Sequence, residues 1–285
     1  MIRPALRDDA FLADVALVRA AAATDALTVW WLGQSGFLIG HRGSFLLFDP
    51  YLSDSLTDKY AATDKPHVRM TARVVDPARL DFISVVTSTH NHTDHLDRET
   101  LLPLFAASPR VRLALPAANV DFAVQRLGDA HQHRLAALAD GKRLTLGTFA
   151  VEVVPAAHET LSPEFAGFVV FAGPYCIYHS GDTIRYSGME ERLRRYPIDL
   201  ALLPINGRSP ERRVSGNLSG PEAAQLAHAI GARWVLPCHY EMFAFNTATP
   251  DAFVSECKKL GQPHAVLRAG ERWQLPPADA KLPSP

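Results

Sequence analysis

Three histidines and an aspartate fall within six positions in His90-Asn91-His92-Thr93-Asp94-His95. A metal cation needs several lone pairs at one point, and neutral imidazole and carboxylate supply them at neutral pH. The strand-like run Phe82-Ile83-Ser84-Val85-Val86-Thr87 leads straight into this segment, so its side chains can turn toward one centre without ordering a long loop. Three further candidates share that context. His158 follows Val153-Val154-Pro155-Ala156-Ala157, Asp182 lies in His179-Ser180-Gly181-Asp182-Thr183, and His239 follows Val235-Leu236-Pro237-Cys238. If the strands align, these positions gather at one edge of a rigid frame. The set then holds five imidazoles and two carboxylates, enough for two ions bridged by one carboxylate. Two ions close together clamp an attacking water and the oxygen on which charge develops.

Around this set stand residues that could support or line a site. Asp49 ends a strand-like run and could accept the second N–H of a ligating histidine. Arg208 could bind a substrate phosphate or carboxylate as a fork, with Asn206 beside it. Gln34 and Tyr240 are pocket-lining candidates, and His179 is read as a core or supporting residue. Cys238 adjoins His239, but neighbours in an extended segment point to opposite sides, so it is not read as a ligand. His41, His67, His131, His133, His228 and His264 sit in polar or surface-like contexts.

The elements that must position these residues alternate between short strands and helices. Residues 9–23 read as a peripheral helix, within an N-terminal segment 1–25. Strands are expected at 28–32, 37–39, 44–48, 82–87 and 111–115, with helices at 97–105, capped by Asp97, and at 117–127. Residues 51–80 look irregular, and a loop this long binds something or covers a site. The second half repeats the theme. Strands are expected at 144–146, 149–154, 168–171, 175–179, 200–203, 234–236 and 265–267, with helices at 190–195, 220–231 and, capped by Thr249, 250–260. The Pro-rich end, 276–285, reads as loose. No Pro/Gly/Ser linker divides the halves, so the expectation is a single domain, 1–285, of two sheets face to face with helices outside.

Composition narrows the setting. The 47% hydrophobic and 21% charged fractions suit a soluble globular protein, and a net charge of −1 gives no general attraction to nucleic acid or anionic membrane. Three cysteines without C-x-x-C spacing give neither a disulfide framework nor a thiolate zinc site. With no secretory signal and no membrane-length apolar run, the expected location is the cytoplasm.

His90-Asn91-His92-Thr93-Asp94-His95 matches the H-x-H-x-D-H pattern of the metallo-β-lactamase fold superfamily, and His158, Asp182 and His239 follow in that superfamily's order. More narrowly, the chain resembles the L-ascorbate-6-phosphate lactonase-like branch. The resemblance runs through Trp31–Phe37, Asp49–Ser55, Ser88–Asp97, His179–Thr183, Leu203–Arg208 and Pro237–Phe243. It implies an α/β (α+β) chain folded as a four-layer αββα sandwich. His90, His92 and His158 would hold one divalent ion, Asp94, His95 and His239 a second, and Asp182 would bridge them. All-N/O ligation suits Zn, Mn or Fe, and the branch is associated with manganese; the resemblance also implies a metal-bound hydroxide attacking a small anionic lactone while Asp94 takes or relays a proton. Two other activities fit the same ligands: a phosphodiesterase acting on a cyclic nucleotide or RNA, and an iron-dependent oxidoreductase. The partner expected is a small-molecule substrate, not nucleic acid or membrane. The branch tends to form homo-oligomers.

Overall fold

The computed structural model describes residues 1–277, so the expected loose tail lies, from residue 278 onward, outside the described residues. In chain order, helix α1 (Asp8–Ala20) precedes β1 (Thr28–Gly33), β2 (Gly36–His41), β3 (Ser44–Phe48), α2 (Ser55–Tyr60), β4 (Val85–Thr87), α3 (Arg98–Ala107), β5 (Arg112–Pro116), α4 (Val120–Leu127) and β6 (Leu135–Leu138). The second half runs β7 (Arg143–Leu146), β8 (Phe149–His158), β9 (Thr160–Ala172), β10 (Tyr175–His179), α5 (Met189–Leu193), β11 (Leu200–Pro204), α6 (Gly220–Ala229), β12 (Trp234–Cys238), α7 (Asp251–Leu260) and β13 (Arg272–Gln274).

These strands form a seven-stranded sheet, β13-β1-β2-β3-β4-β5-β6, and a six-stranded sheet, β12-β11-β10-β9-β8-β7. Each begins as an antiparallel meander and ends in parallel strands, β3 to β6 in one and β10 to β12 in the other. Parallel neighbours need a crossover, and α2, α3, α4, α5 and α6 lie in the five connections. The sheets face each other across one apolar core. His179 of β10 lies between Phe37 of β2 and Phe48 of β3, stacked on the latter at 4.7 Å. α6 packs on β11 and β12, and α1 seats Phe11 against Trp30 of β1. The architecture is the expected αββα sandwich.

Several expectations need correction. The final strand is not 265–267: that segment leaves β12 after a single bridge at His264, and the chain pairs instead at Arg272–Gln274 with the open edge of β1. The strand before the histidines is only Val85–Thr87: a turn at Asp81–Phe82 precedes it, and it pairs between β3 and β5. β6 was unanticipated: Leu135-Ala136-Ala137-Leu138 has helix-forming composition, and its pairing with β5 overrides that preference. β8 and β9 form a longer hairpin than expected, through Pro155 and Pro163, residues that argue against a strand in sequence. Helix α7 is preceded by Pro250 as its cap, not Thr249.

Candidate metal centre

Beyond Thr87 the chain turns sharply, tied by Ser88 N–H to Ala114 O at 3.0 Å and by the amides of His95 and Leu96 to His92 O at 3.1 and 2.8 Å. The turn is organised on Asp49, which follows β3 and is wholly buried. Its carboxylate accepts from Thr87 Oγ1 at 2.7 Å, Thr89 N–H at 3.1 Å, Thr89 Oγ1, and His95 Nδ1 at 2.7 Å. Burial opposes its charge, but the His95 hydrogen bond and neighbouring imidazoles outweigh that and hold its pKa below the ordinary range.

This arrangement sets histidine tautomers. With Nδ1–H committed to Asp49, the neutral form of His95 presents Nε2 as a lone pair. Thr89 gives its hydroxyl proton to Asp49 and lies 3.1 Å from His90 Nδ1, so His90 donates there and also presents Nε2. His158, the last residue of β8, donates Nδ1–H to Gly216 O at 3.1 Å. The Nε2 atoms of His90 and His95 are buried and have no hydrogen-bond partner. Buried ring nitrogens without a hydrogen-bond partner are costly, and a cation is the partner such a donor set fits.

The remaining groups converge on them. Gly181, with φ +60°, leaves no room for a Cβ, which would sit 2.6 Å from Thr89 Cβ; the Asp182 loop therefore lies directly on the histidine turn. Asp182 Oδ1 is 3.4 Å from His95 Nε2, and its Oδ2 is 3.3 Å from His239 Nε2 and 3.8 Å from His158 Nε2. Asp94 Oδ2 lies 3.7 Å from His95 Nε2 and 3.9 Å from His239 Nε2. His239 follows β12 with φ +62° and its N–H bonds Gln34 O at 2.9 Å. Three sets of potential ligand atoms each fall within 4.8 Å: His90, His92 and His158; His90, His95 and Asp182; and Asp94, His95 and His239. All seven ligand-type residues singled out in sequence thus meet at one place, at the ends of β4, β8, β10 and β12.

The electrostatics oppose the imidazoles to one another. Burial favours neutral His95, yet Asp182 and Asp94 overcome it and raise its pKa well above the ordinary histidine value. Burial also works against the Asp182 carboxylate, but His239 and His95 hold it well below the usual range. His90, buried and beside His95, is pushed well down and stays neutral.

The supporting candidates divide. Gln34 lines the cleft above this centre, its Nε2 donating to Asp94 Oδ2 at 2.7 Å. Arg208 does not face the cleft, because both its terminal nitrogens bind Glu222 in the capping box of α6. Tyr240 is buried, stacked on Trp31 at 4.2 Å with its hydroxyl donating to Leu267 O. Asn206 is buried too, bonded to Asn217 and Asn246, and only Asn246 reaches the cleft. His179 Nε2 donates to Ser35 O, and His179 belongs to none of the three ligand-atom sets; burial pushes the Cys238 thiol well up, away from the thiolate a metal would need. The cleft is about 420 Å³. Sequence reasoning missed Arg126, Phe243, Phe245 and His67 among its lining; the only signal was the long 51–80 segment, from which Leu56, Lys59, Tyr60 and His67 come.

A histidine and aspartate cluster at the strand ends of a two-sheet sandwich defines a metallo-β-lactamase-fold protein. A family model described as the beta-lactamase superfamily domain matches residues 45–240, and the chain belongs to that superfamily. Over 252 residues it is 29% identical to a UPF0173 metal-dependent hydrolase of Caldivirga maquilingensis, covering 86% of this chain and 97% of that one. The structure of Igni18, a metallo hydrolase from Ignicoccus hospitalis, superposes with TM-score 0.64 at 20% identity, over 87% of this chain and 98% of that one. CmlA, a diiron β-hydroxylase from Streptomyces venezuelae, gives TM-score 0.65 at 18% identity, over 88% of this chain but 54% of its own.

Proposed function

We propose that this protein is a metal-dependent hydrolase with two divalent ions, Mn or Zn, acting on a small anionic lactone. The unpaired, buried Nε2 atoms of His90 and His95, facing two carboxylates, carry this reading. His90, His92 and His158 would hold one ion, Asp94, His95 and His239 the other, and Asp182 would serve both. The likeness to UPF0173 metal-dependent hydrolases supports the reaction class. Such ions supply Lewis acidity and make a nucleophile available from water at neutral pH. The chain's own residues do the rest. Gln34 fixes Asp94 Oδ2, which leaves the other oxygen to take a proton from the attacking water and pass it to the leaving alkoxide. His92, exposed at the open face, borders the space where the ring enters. CmlA shares the fold alone and brings no case for oxidation.

The same reading takes residues 1–285 as one domain in the cytoplasm, acting without nucleic acid or membrane and able to form homo-oligomers. The three buried, unpaired cysteines accord with a reducing compartment, and no helix among the described residues is long and apolar enough to cross a membrane.

A hydrolysis screen separates the substrates. Lactones and phosphodiesters are offered with Mn²⁺ and Zn²⁺ supplied separately. Ring opening of a lactone carrying a negative charge is expected; turnover of phosphodiesters alone selects the phosphodiesterase. Stoichiometric iron with oxygen consumption would select the oxidoreductase.

Metal uptake also has an expected pH signature. Because the folded pKa of His95 is raised, its charged form contributes stability to the metal-free protein below about 6.5, and this is lost as pH rises through the folded value. Asp182 has the opposite sign: its contribution is present above about 3.9 and lost as pH falls through its depressed folded value. Binding at His95 Nε2 needs the neutral ring, so uptake by the charged ring should release a proton, and affinity should rise with pH. Calorimetry in buffers of different ionisation heat reads this directly. No proton release would show that His95 is already neutral.

A further inference from the structure

Resting on the hydrolase reading, we infer that Arg126 forms an oxyanion-binding subsite in the cleft, selecting substrates that carry a carboxylate or phosphate on an aromatic or otherwise flat apolar body. Arg126 is half-buried near the end of α4 and lines the same cleft as His92, Asp94 and Asp182. Its Nη1 donates to Asn91 O at 2.8 Å and Leu96 O at 3.1 Å, and the guanidinium lies 4.4 Å from the centre of the Phe122 ring. Among the described residues, its hydrogen bonds therefore go to two carbonyls and to no carboxylate. Asp97 acts on it only through space, so this partly desolvated guanidinium, which hydrogen-bonds no carboxylate, keeps its remaining N–H groups available for an anion.

The other cations of the cleft differ. Arg213 is exposed and already paired with Asp64 at 2.9 Å, and Lys59 is exposed beside Tyr60. The acidic residues lining the cleft are Asp94 and Asp182, both committed to the metal centre in the reading above. With those charges compensated, the cleft is positive, and among the described residues Arg126 is its one half-buried cation. Its position is fixed by the carbonyls of Asn91 and Leu96, which flank the ligands His92, Asp94 and His95. An anion held there is thus registered against the reacting centre.

The flat body has its own surface. Tyr60 and His67 stack at 4.1 Å, Phe245 meets His67 edge-on at 4.5 Å, and Phe243 packs beside it. These rings reach the cleft from α2 and from the loops before β4 and after β12. Aromatic walls take planar apolar groups, and the few polar groups among them fix orientation.

The test uses the metal-loaded protein and reads binding instead of turnover, so it stands apart from any failure of the hydrolysis screen. Benzoate, phenyl phosphate and uncharged benzamide are titrated against wild type, Arg126→Met and Arg126→Lys, with metal content measured alongside. Wild type should bind one or both anions more tightly than benzamide, and the preferred anion identifies carboxylate or phosphate as the natural group. Arg126→Met should weaken that anion by about tenfold or more, with benzamide binding and metal content unchanged. Arg126→Lys should fall between, since it keeps the charge but loses the fork. Anion affinity equal in wild type and Arg126→Met would overturn the inference by placing the anion on the metals. Loss of metal together with all three ligands would overturn it by making Arg126 only a brace of the ligand turn.

Discussion

Asp182→Ala is expected to abolish hydrolysis and metal retention together. Its carboxylate stands within 4 Å of three imidazoles, at 3.3 Å from His239, 3.4 Å from His95 and 3.8 Å from His158. Among the described residues, no other carboxylate lies within 4 Å of imidazoles from both halves, so removing it takes a ligand from each. Losing several kcal/mol of charge stabilisation corresponds to a drop in turnover of about a thousandfold or more. Elemental analysis after dialysis, circular dichroism and kinetics on the best substrate of the screen read the three quantities separately. A folded variant with full turnover would show that Asp182 does not bridge.

The second large effect is expected one shell further out, at a residue that touches no metal. Asp49→Ala deprives four donors of one acceptor: Thr87 Oγ1, Thr89 N–H, Thr89 Oγ1 and His95 Nδ1–H. All lie in the interior. Leaving buried donors unsatisfied costs about 1–3 kcal/mol apiece, though not additively. A total loss on the order of 3–5 kcal/mol is expected, as for breaking a buried pair. His95 also loses the hydrogen bond that fixes its tautomer, so metal affinity should fall about 10- to 100-fold. Asp49→Asn keeps one acceptor and nearly the same shape. It should lose less stability than Asp49→Ala while still weakening metal binding, because its amide cannot accept from all four donors. Equal metal affinity in wild type and both variants would show that the His95 orientation is set by packing alone.

The candidate ligands were legible in sequence for a physical reason. Four of them are local, and the other three each follow an apolar run, so topology had only to align strand ends. Asp49 could be suspected because it closes the third strand of a meander, although its link to Thr89 and His90 needs coordinates. Side-chain direction was not legible. Arg208 and Tyr240 follow strands as His239 does, yet one turns to Glu222 and the other onto Trp31. Arg126 lay hidden in a helix whose contact with the histidine turn is tertiary, spanning 35 residues of sequence to Asn91. The misplaced last strand has the same origin. Both 265–267 and 272–274 can extend, and the open edge of β1 decides between them.

The central claim is a two-ion centre whose halves share Asp182. It is tested most directly by counting bound ions in wild type, His158→Ala and His239→Ala, each loaded with Mn²⁺ or Zn²⁺ and dialysed. Wild type should retain about two ions per chain and each variant about one, with hydrolysis lost in both variants. A wild type that hydrolyses substrate at full rate with a single ion, unaffected by His239→Ala, would contradict it.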